Sequence, residues 1–239
     1  MRAVAIIPAR GGSRGIPRKN LIDFCGHPLL SWTIAAARRC SQIETVFVST
    51  DDAEITEVAR QYGAEIIARP PEISGDTASS ESALIHALET IQKDDPSVDT
   101  VVFLQATSPL RETSELEGAL RRFKDHSVDS LFSASQPEDM LMWLRDNSGL
   151  QSLNYDYRSR KRRQDVHQGQ EVLIETGSFY ITRADILLAG GNRLGGRIDI
   201  WPVPFWKSFE IDSMESLEVC STLMRAHRLD VVPPEKVRR

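Results

Sequence analysis

The amino-acid sequence predicts an α/β fold, a mostly parallel sheet flanked by helices on both faces. Two observations predict it. Apolar runs of strand length alternate with segments of helical period through the first 134 residues, the rhythm of strand–helix–strand crossovers. The connections between them are short, and the helical segments run to roughly 10–13 residues, as such crossovers require.

The elements follow in order. Residues 3–8 are a continuous apolar run and form a buried strand. Residues 28–40 form a helix, with Leu30, Ile34 and Ala37 on one face and Pro28 in the first turn. A strand over 45–50 leads to a helix over 52–62 that Gly63 ends, then to a short strand over 64–68. Leu84, Ala87, Leu88 and Ile91 share one face of a helix over 80–92, and 100–105 is a strand. Ser114 and Glu117 have capping-box spacing and open a helix to about Lys124, before a strand over 130–134. The rhythm breaks after Pro137. Residues 137–171 hold Trp143, Tyr155, Tyr157 and a basic run without helical period, an excursion read as a hairpin and an extended arm. Strands over 172–182 and 198–203 and a closing helix over 212–229 complete the core, and a tail over 231–239 with Pro233-Pro234 is expected to fray. The chain thus divides into a core of 1–136 and 172–230, an excursion of 137–171 and the tail.

Composition narrows the function. Hydrophobic residues at 41% and charged residues at 26% are ordinary for a globular chain of 239 residues. A net charge of −5 supplies no basic field for nucleic acid. Three widely spaced cysteines, Cys25, Cys40 and Cys220, make neither a metal-ligand pattern nor a disulfide framework and favour a cytoplasmic setting. A strand pattern at the very start and the lack of an apolar run of about 18 residues predict no signal peptide and no membrane span.

The richest segment follows the first strand. Ala9-Arg10-Gly11-Gly12-Ser13-Arg14-Gly15-Ile16-Pro17-Arg18-Lys19-Asn20 holds three glycines and four cations, and no acidic residue precedes Asp23. Small residues let a polyanion reach the backbone amides, and Arg and Lys neutralise it. Such a loop at the carboxyl end of a strand is where α/β folds hold phosphates. With no local carboxylate partner, the four cations predict an external anion. The loop matches neither the P-loop nor the Gly-x-Gly-x-x-Gly pattern.

Other polar segments fall at strand ends. Ser49-Thr50-Asp51-Asp52 closes one strand, where Asp51 and Glu54 also have capping-box spacing. Arg69-Pro70-Pro71 and Asp76-Thr77-Ala78-Ser79-Ser80 precede a helix, the latter offering caps. Gln105-Ala106-Thr107-Ser108-Pro109-Leu110-Arg111 follows another strand, and Gln105 has the donor and acceptor that a base edge or a sugar needs. Glu210 and Asp212, at i and i+2 on extended chain, share one face and suit Mg²⁺; Asp212 and Glu215 equally fit a helix cap. Five cations within 158–163 form a solvated face or meet an anionic substrate. The five histidines have no pairing spacing.

Taken together and in this order, with Arg162-Arg163-Gln164-Asp165 and Gly177-Ser178-Phe179-Tyr180-Ile181, these segments resemble the acylneuraminate cytidylyltransferases, the CMP-sialic acid synthetases. The resemblance implies a Rossmann-like nucleotidyltransferase fold with a dimerisation excursion. It implies transfer of CMP from CTP to a 2-keto-3-deoxy nonulosonic acid, releasing pyrophosphate, in the service of cell-surface polysaccharide synthesis. By the family's pattern Arg10 and Lys19 hold the CTP phosphates within the loop Ala9, Gly11, Gly12 and Ser13, with Asn20 beside the nucleotide. Arg69 and Ser79 contact the cytidine portion. Gln105 faces the sugar acid, with Thr107, Ser108 and Arg111 in the same segment. Glu210 and Asp212 bind Mg²⁺, and Asp212 is the candidate acceptor of the sugar hydroxyl proton. Arg163 and Gln164 reach the partner's sugar site in a homodimer. Glu210 stands where the family usually has Asp, which alters the metal geometry; Glu175-Thr176-Gly177 stands where it often has Glu-Asn-Gly and 166–176 is longer than usual, so sialic, legionaminic and deaminated nonulosonic acids all remain open. The alternatives are a nucleotidyltransferase for another base or keto-sugar acid, and a catalytically silent nucleotide-binding regulator.

Overall fold

The computed structural model describes residues 1–13, 15–75, 77–137, 140–160, 162 and 171–237. Its centre is a seven-stranded sheet. The strands in chain order are β1 (Ala3–Pro8), β4 (Ile43–Thr50), β5 (Glu65–Ala68), β6 (Thr100–Leu104), β7 (Ser130–Ser135), β10 (Ile174–Arg183) and β11 (Ile198–Pro202). Two short pairs stand apart, β2 (Asp23–Phe24) with β3 (His27–Pro28) and β8 (Trp143–Asp146) with β9 (Gly149–Ser152). The large sheet runs β11-β7-β10-β6-β1-β4-β5. β1 lies between β4 and β6 in parallel, Ala5 opposite both Val46 and Val102. β10 is the exception, antiparallel to β6 and to β7.

Helices cover both faces. On one side α1 (Leu29–Arg39), α2 (Ala53–Gln61) and α4 (Thr113–Asp125) bury Leu30, Ile34, Ile55, Leu116 and Leu120 against Ala5, Ile7, Val48 and Leu104. On the other, α3 (Ser80–Asp94) and α5 (Ala184–Gly190) bury Leu84, Leu88 and Leu187 against Val4, Ile6 and Phe103. Burial on both faces explains why β1 is apolar throughout, and β6 from Val101 onward, rather than alternating. A third cluster joins Ile16, Phe24, Leu29, Trp32 and Ile211 to α6 (Met214–Ala226), tying the loop after β1 to the chain's last helix.

Apart from α5, which the sequence reading lacks, the order of the large sheet's strands and its helices matches that reading, and the helix caps do not. In α2 the cap is Asp52, whose carboxylate takes the Ile55 N–H at 2.9 Å, rather than Asp51. In α4 the box pairs Glu112 with Glu115, and in α6 Ser213 with Ser216, rather than Ser114 with Glu117 and Asp212 with Glu215. Each segment offers two polar registers, and side-chain partners choose between them. Lys207 binds Glu112 and Glu115, and Lys19 holds Asp212 outside the helix. The described part of the tail, 231–237, is anchored rather than frayed. Arg39 donates to the carbonyls of Val232 and Pro233 at 3.0 and 2.6 Å, Val237 N–H to Gln61, and Pro234 is buried. Within the excursion and among the described residues, β8 and β9 form a two-stranded sheet of their own, and Trp143, Leu144, Leu150 and the following Leu153 are exposed.

Candidate active site

A cleft of about 380 Å³ opens at the carboxyl ends of β1 and β6, the ligand edge of an open α/β sheet. Arg10, Ser13, Gly15, Lys19 and Asn20 line it together with Gln105, Ala106, Thr107 and Asp212.

The loop after β1 is tethered at several points. Ala9 is buried in the core and donates its N–H to Ser49. Gly11 N–H reaches the Asp51 carboxylate at 3.0 Å, while Gly12 is exposed. Buried Asn20 donates to the Arg10 carbonyl at 3.1 Å and so fixes the loop's return. Arg10 donates to the Gly75 carbonyl at 3.0 Å. Gly15 has a steric role, since a Cβ there would stand 2.2 Å from the Asp212 carbonyl oxygen.

No carboxylate lies near these cations in sequence, but the fold supplies partners to Arg18 and Lys19. Arg18 forks onto Asp52 at 2.5 and 3.2 Å and also pairs with Glu54, which holds the Asp52 carboxyl below its usual range against the burial that opposes it. Lys19 pairs with Asp212 at 2.8 Å. Both sets of partners are remote in sequence, so local charge counting missed them.

The acidic side is built on extended chain. Ile211 is buried in the third apolar cluster and donates its N–H to the Thr107 carbonyl at 2.8 Å, so Glu210 and Asp212 project together from the other face. Ser108, itself buried, donates to Glu210 Oε1 at 3.3 Å, and Gln105 Nε2 lies 3.5 Å from the same oxygen. Burial, then the neighbouring Asp212 charge, pushes the Glu210 carboxyl above its ordinary range. A cation between the two carboxylates would reverse the second effect, and hard oxygen donors of this kind fit Mg²⁺. Among the described residues no cluster of three or more metal-ligating side chains exists, so protein donors alone do not complete a cage. Mg²⁺ usually keeps waters and substrate phosphates as its remaining ligands.

Two predicted contacts are committed to the protein instead of the cleft wall. Arg69 is buried and donates to the Ser49 carbonyl at 2.6 Å and to Ser49 Oγ at 3.2 Å; burial lowers its pKa. Arg111 is buried, donating to Ser178 Oγ, the Ser178 carbonyl, the Gln105 carbonyl and Thr33 Oγ1, and burial brings its pKa down to about 10. Ser79 caps α3 by accepting the Ser82 N–H at 3.1 Å. Arg163 and Gln164 lie outside the described residues, as do Arg14 and Asp76.

A family model described as Cytidylyltransferase matches residues 4–189, most of the chain and the whole cleft lining except Asp212. The chain belongs to the cytidylyltransferase family. It is 33% identical to a pseudaminic acid cytidylyltransferase of Campylobacter jejuni subsp. jejuni serotype O:23/36 (strain 81-176), covering 95% of this chain and 98% of that protein. It is 40% identical over 76% of its length to an N-acylneuraminate cytidylyltransferase of Oncorhynchus mykiss, of which it covers 41%. Among solved structures, a CMP:2-keto-3-deoxy-manno-octonic acid synthetase complexed with CTP superposes with a TM-score of 0.70 at 19% identity, covering 95% of this chain and all of that one. At such identity the likeness shows the fold.

For this nucleotidyltransferase, sequence reasoning missed three contributors. Asp52 anchors the loop through Arg18. Gly15 makes room for the Asp212 backbone. Gly177 stands against Glu210, with a φ of +66°. A glycine inside an apolar strand pattern was the available signal for the last.

Proposed function

We propose that the chain is a Mg²⁺-dependent cytidylyltransferase that activates a nonulosonic acid of the sialic type with CTP. The observation that carries this reading is the cleft, which gathers the cationic, glycine-rich loop, Gln105 and Asp212, with Glu210 3.5 Å from Gln105 Nε2. The family membership and the relatives that act on pseudaminic and N-acylneuraminic acids support it.

In the proposed reaction, the anomeric hydroxyl of the sugar attacks the α-phosphorus of CTP. A C–O–P bond forms, the α–β phosphoanhydride bond breaks and pyrophosphate leaves. Arg10 and Lys19 neutralise charge that builds on the phosphoryl oxygens and the leaving group, an electrostatic role suited to phosphoryl transfer. The amides of Gly12 and Ser13 bind the triphosphate, while the Gly11 N–H is held by Asp51. Asp212 accepts the hydroxyl proton, and its pairing with Lys19 keeps it aimed. Gln105 orients the sugar acid. Glu210 and Asp212 would hold Mg²⁺, which when bound supplies Lewis-acid stabilisation of phosphoryl oxygens. The cytidine portion is assigned to the side of Arg69 and Ser79, where Arg69 acts by bracing Ser49.

We further propose a homodimer formed through the 137–171 excursion, supported by the apolar side chains that β8 and β9 expose. Arg163 and Gln164 would serve the partner's sugar site. No described helix is long and apolar enough to cross a membrane, and all three cysteines are free thiols, which supports a cytoplasmic enzyme. The test incubates the chain with Mg²⁺, each of the four NTPs and a panel of eight- and nine-carbon keto-sugar acids, reading products by mass. A CMP-nonulosonate with stoichiometric pyrophosphate is expected. No product with CTP, or preference for another NTP or an octulosonate, would overturn the reading.

A further inference from the structure

β10 is kinked where it passes the cleft. Its register against β7 shifts between Glu175 and Tyr180, and Gly177 sits in the kink with a φ of +66°. The Gly177 carbonyl accepts from Gln105 Nε2 at 2.8 Å. A Cβ on Gly177 would stand 1.7 Å from Glu210 Oε1 and 2.6 Å from Gln105 Nε2. The space that Glu210 occupies is therefore the space a side chain at 177 would take.

The neighbours of Gly177 hold the kink in place. Buried Thr176 donates to Ser133 Oγ at 2.7 Å, and Ser133 Oγ accepts the Phe179 N–H at 3.1 Å. Ser178 receives Arg111 on both its hydroxyl and its carbonyl. These bonds are buried, and breaking them leaves polar groups without water. The strand cannot swing away from an added side chain, so the Glu210 carboxylate must move.

The geometry points to Gly177 as a positioning residue that seats Glu210 and Gln105 together: the missing side chain at the β10 kink sets how the acidic pair presents itself to a divalent cation. This inference rests on the functional reading above for the cation, and on packing alone for the contact.

The test compares Gly177→Ala in the wild-type background and in Glu210→Ala, which removes the colliding group. The first readout is thermal melting without cation. Gly177→Ala is expected to cost several degrees in the wild-type background and less than half as much beside Glu210→Ala. Equal costs in both backgrounds would overturn the proposal, since only backbone conformation would then be at stake. If Gly177→Ala alone does not fold and the double variant does, the contact is upheld; if neither folds, the proposal falls. The second readout is Mn²⁺ binding to the CTP-loaded protein, followed by paramagnetic resonance of the free ion. Loss of roughly 10- to 100-fold in affinity is expected, the usual effect of disturbing groups that orient metal ligands. Unchanged Mn²⁺ affinity overturns the cation part. Should the wild-type protein take up no Mn²⁺ with CTP, the functional reading fails, and the melting comparison alone decides on Gly177.

Discussion

Replacing Lys207 with Met tests how the acidic side of the cleft is held. Lys207 is buried at 5% exposure in the short helix Phe205–Ser208, just before Glu210, and its ammonium meets Glu115 at 2.7 Å and also Glu112. Met keeps the length and the apolar stem while deleting the charge. Breaking a buried pair by removing one partner costs about 3–5 kcal/mol. Two facts lower the figure here. Glu112 is half exposed, and Glu115 keeps the Glu112 N–H at 2.9 Å. The loss should therefore be about 2–3 kcal/mol, which at roughly 2–4 °C per kcal/mol for a domain of this size lowers Tm by about 4–12 °C. The assay is urea unfolding with the m-value checked for constancy. Adding Glu115→Gln to Lys207→Met should return part of the loss by removing the uncompensated carboxylate. A loss under about 0.5 kcal/mol, or no recovery in the double variant, would refute the argument that this buried pair anchors the segment carrying Glu210.

Three further outcomes are expected. Asp212→Asn should lower turnover by about 10²-fold or more in a pyrophosphate-release assay, and unchanged turnover would remove its assignment as proton acceptor. Hydrogen bonding from Arg122 brings the Asp199 carboxyl down to about 2, so its contribution to stability is full above its unfolded value near pH 4 and is lost as pH falls toward 2; Asp199→Asn should be less stable than wild type at pH 7, with the gap narrowing in urea melts at pH 3 and below. Gly118→Ala, which in an exposed helix would stabilise by up to about 1 kcal/mol, should destabilise here by about 1–3 kcal/mol, because the new Cβ would lie 2.3 Å from Trp201 Cη2; a raised melting temperature would contradict it.

The core of the fold was legible because its strands are apolar on both faces and its helices carry one apolar face each. The direction of β10 was not, since residue pattern fixes which faces are buried and says nothing of polarity. Within the site, the loop after β1 and the Glu210–Asp212 pair were legible from residue type and spacing. What Arg18, Arg69 and Arg111 bind was not, because Asp52, Ser49 and Ser178 reach them only through tertiary structure. The seven-residue helix α5 escaped notice for want of enough turns to show a period. The tail escaped because its anchors are backbone carbonyls, which every sequence has.

The placement of β10 between β6 and β7 has a consequence for the order in which the chain can be completed during synthesis. β7 ends at Ser135, and its only strand partners in the large sheet, β10 and β11, begin at Ile174 and Ile198. At roughly 5–20 residues per second, the ribosome needs about 2–8 s to make the intervening stretch of about 40 residues. For that time β7 has no edge to join, while β1, β4, β5 and β6 can already assemble. The length of the excursion is thus also a delay, and lengthening it would prolong the exposure of an unpaired strand edge to neighbouring chains.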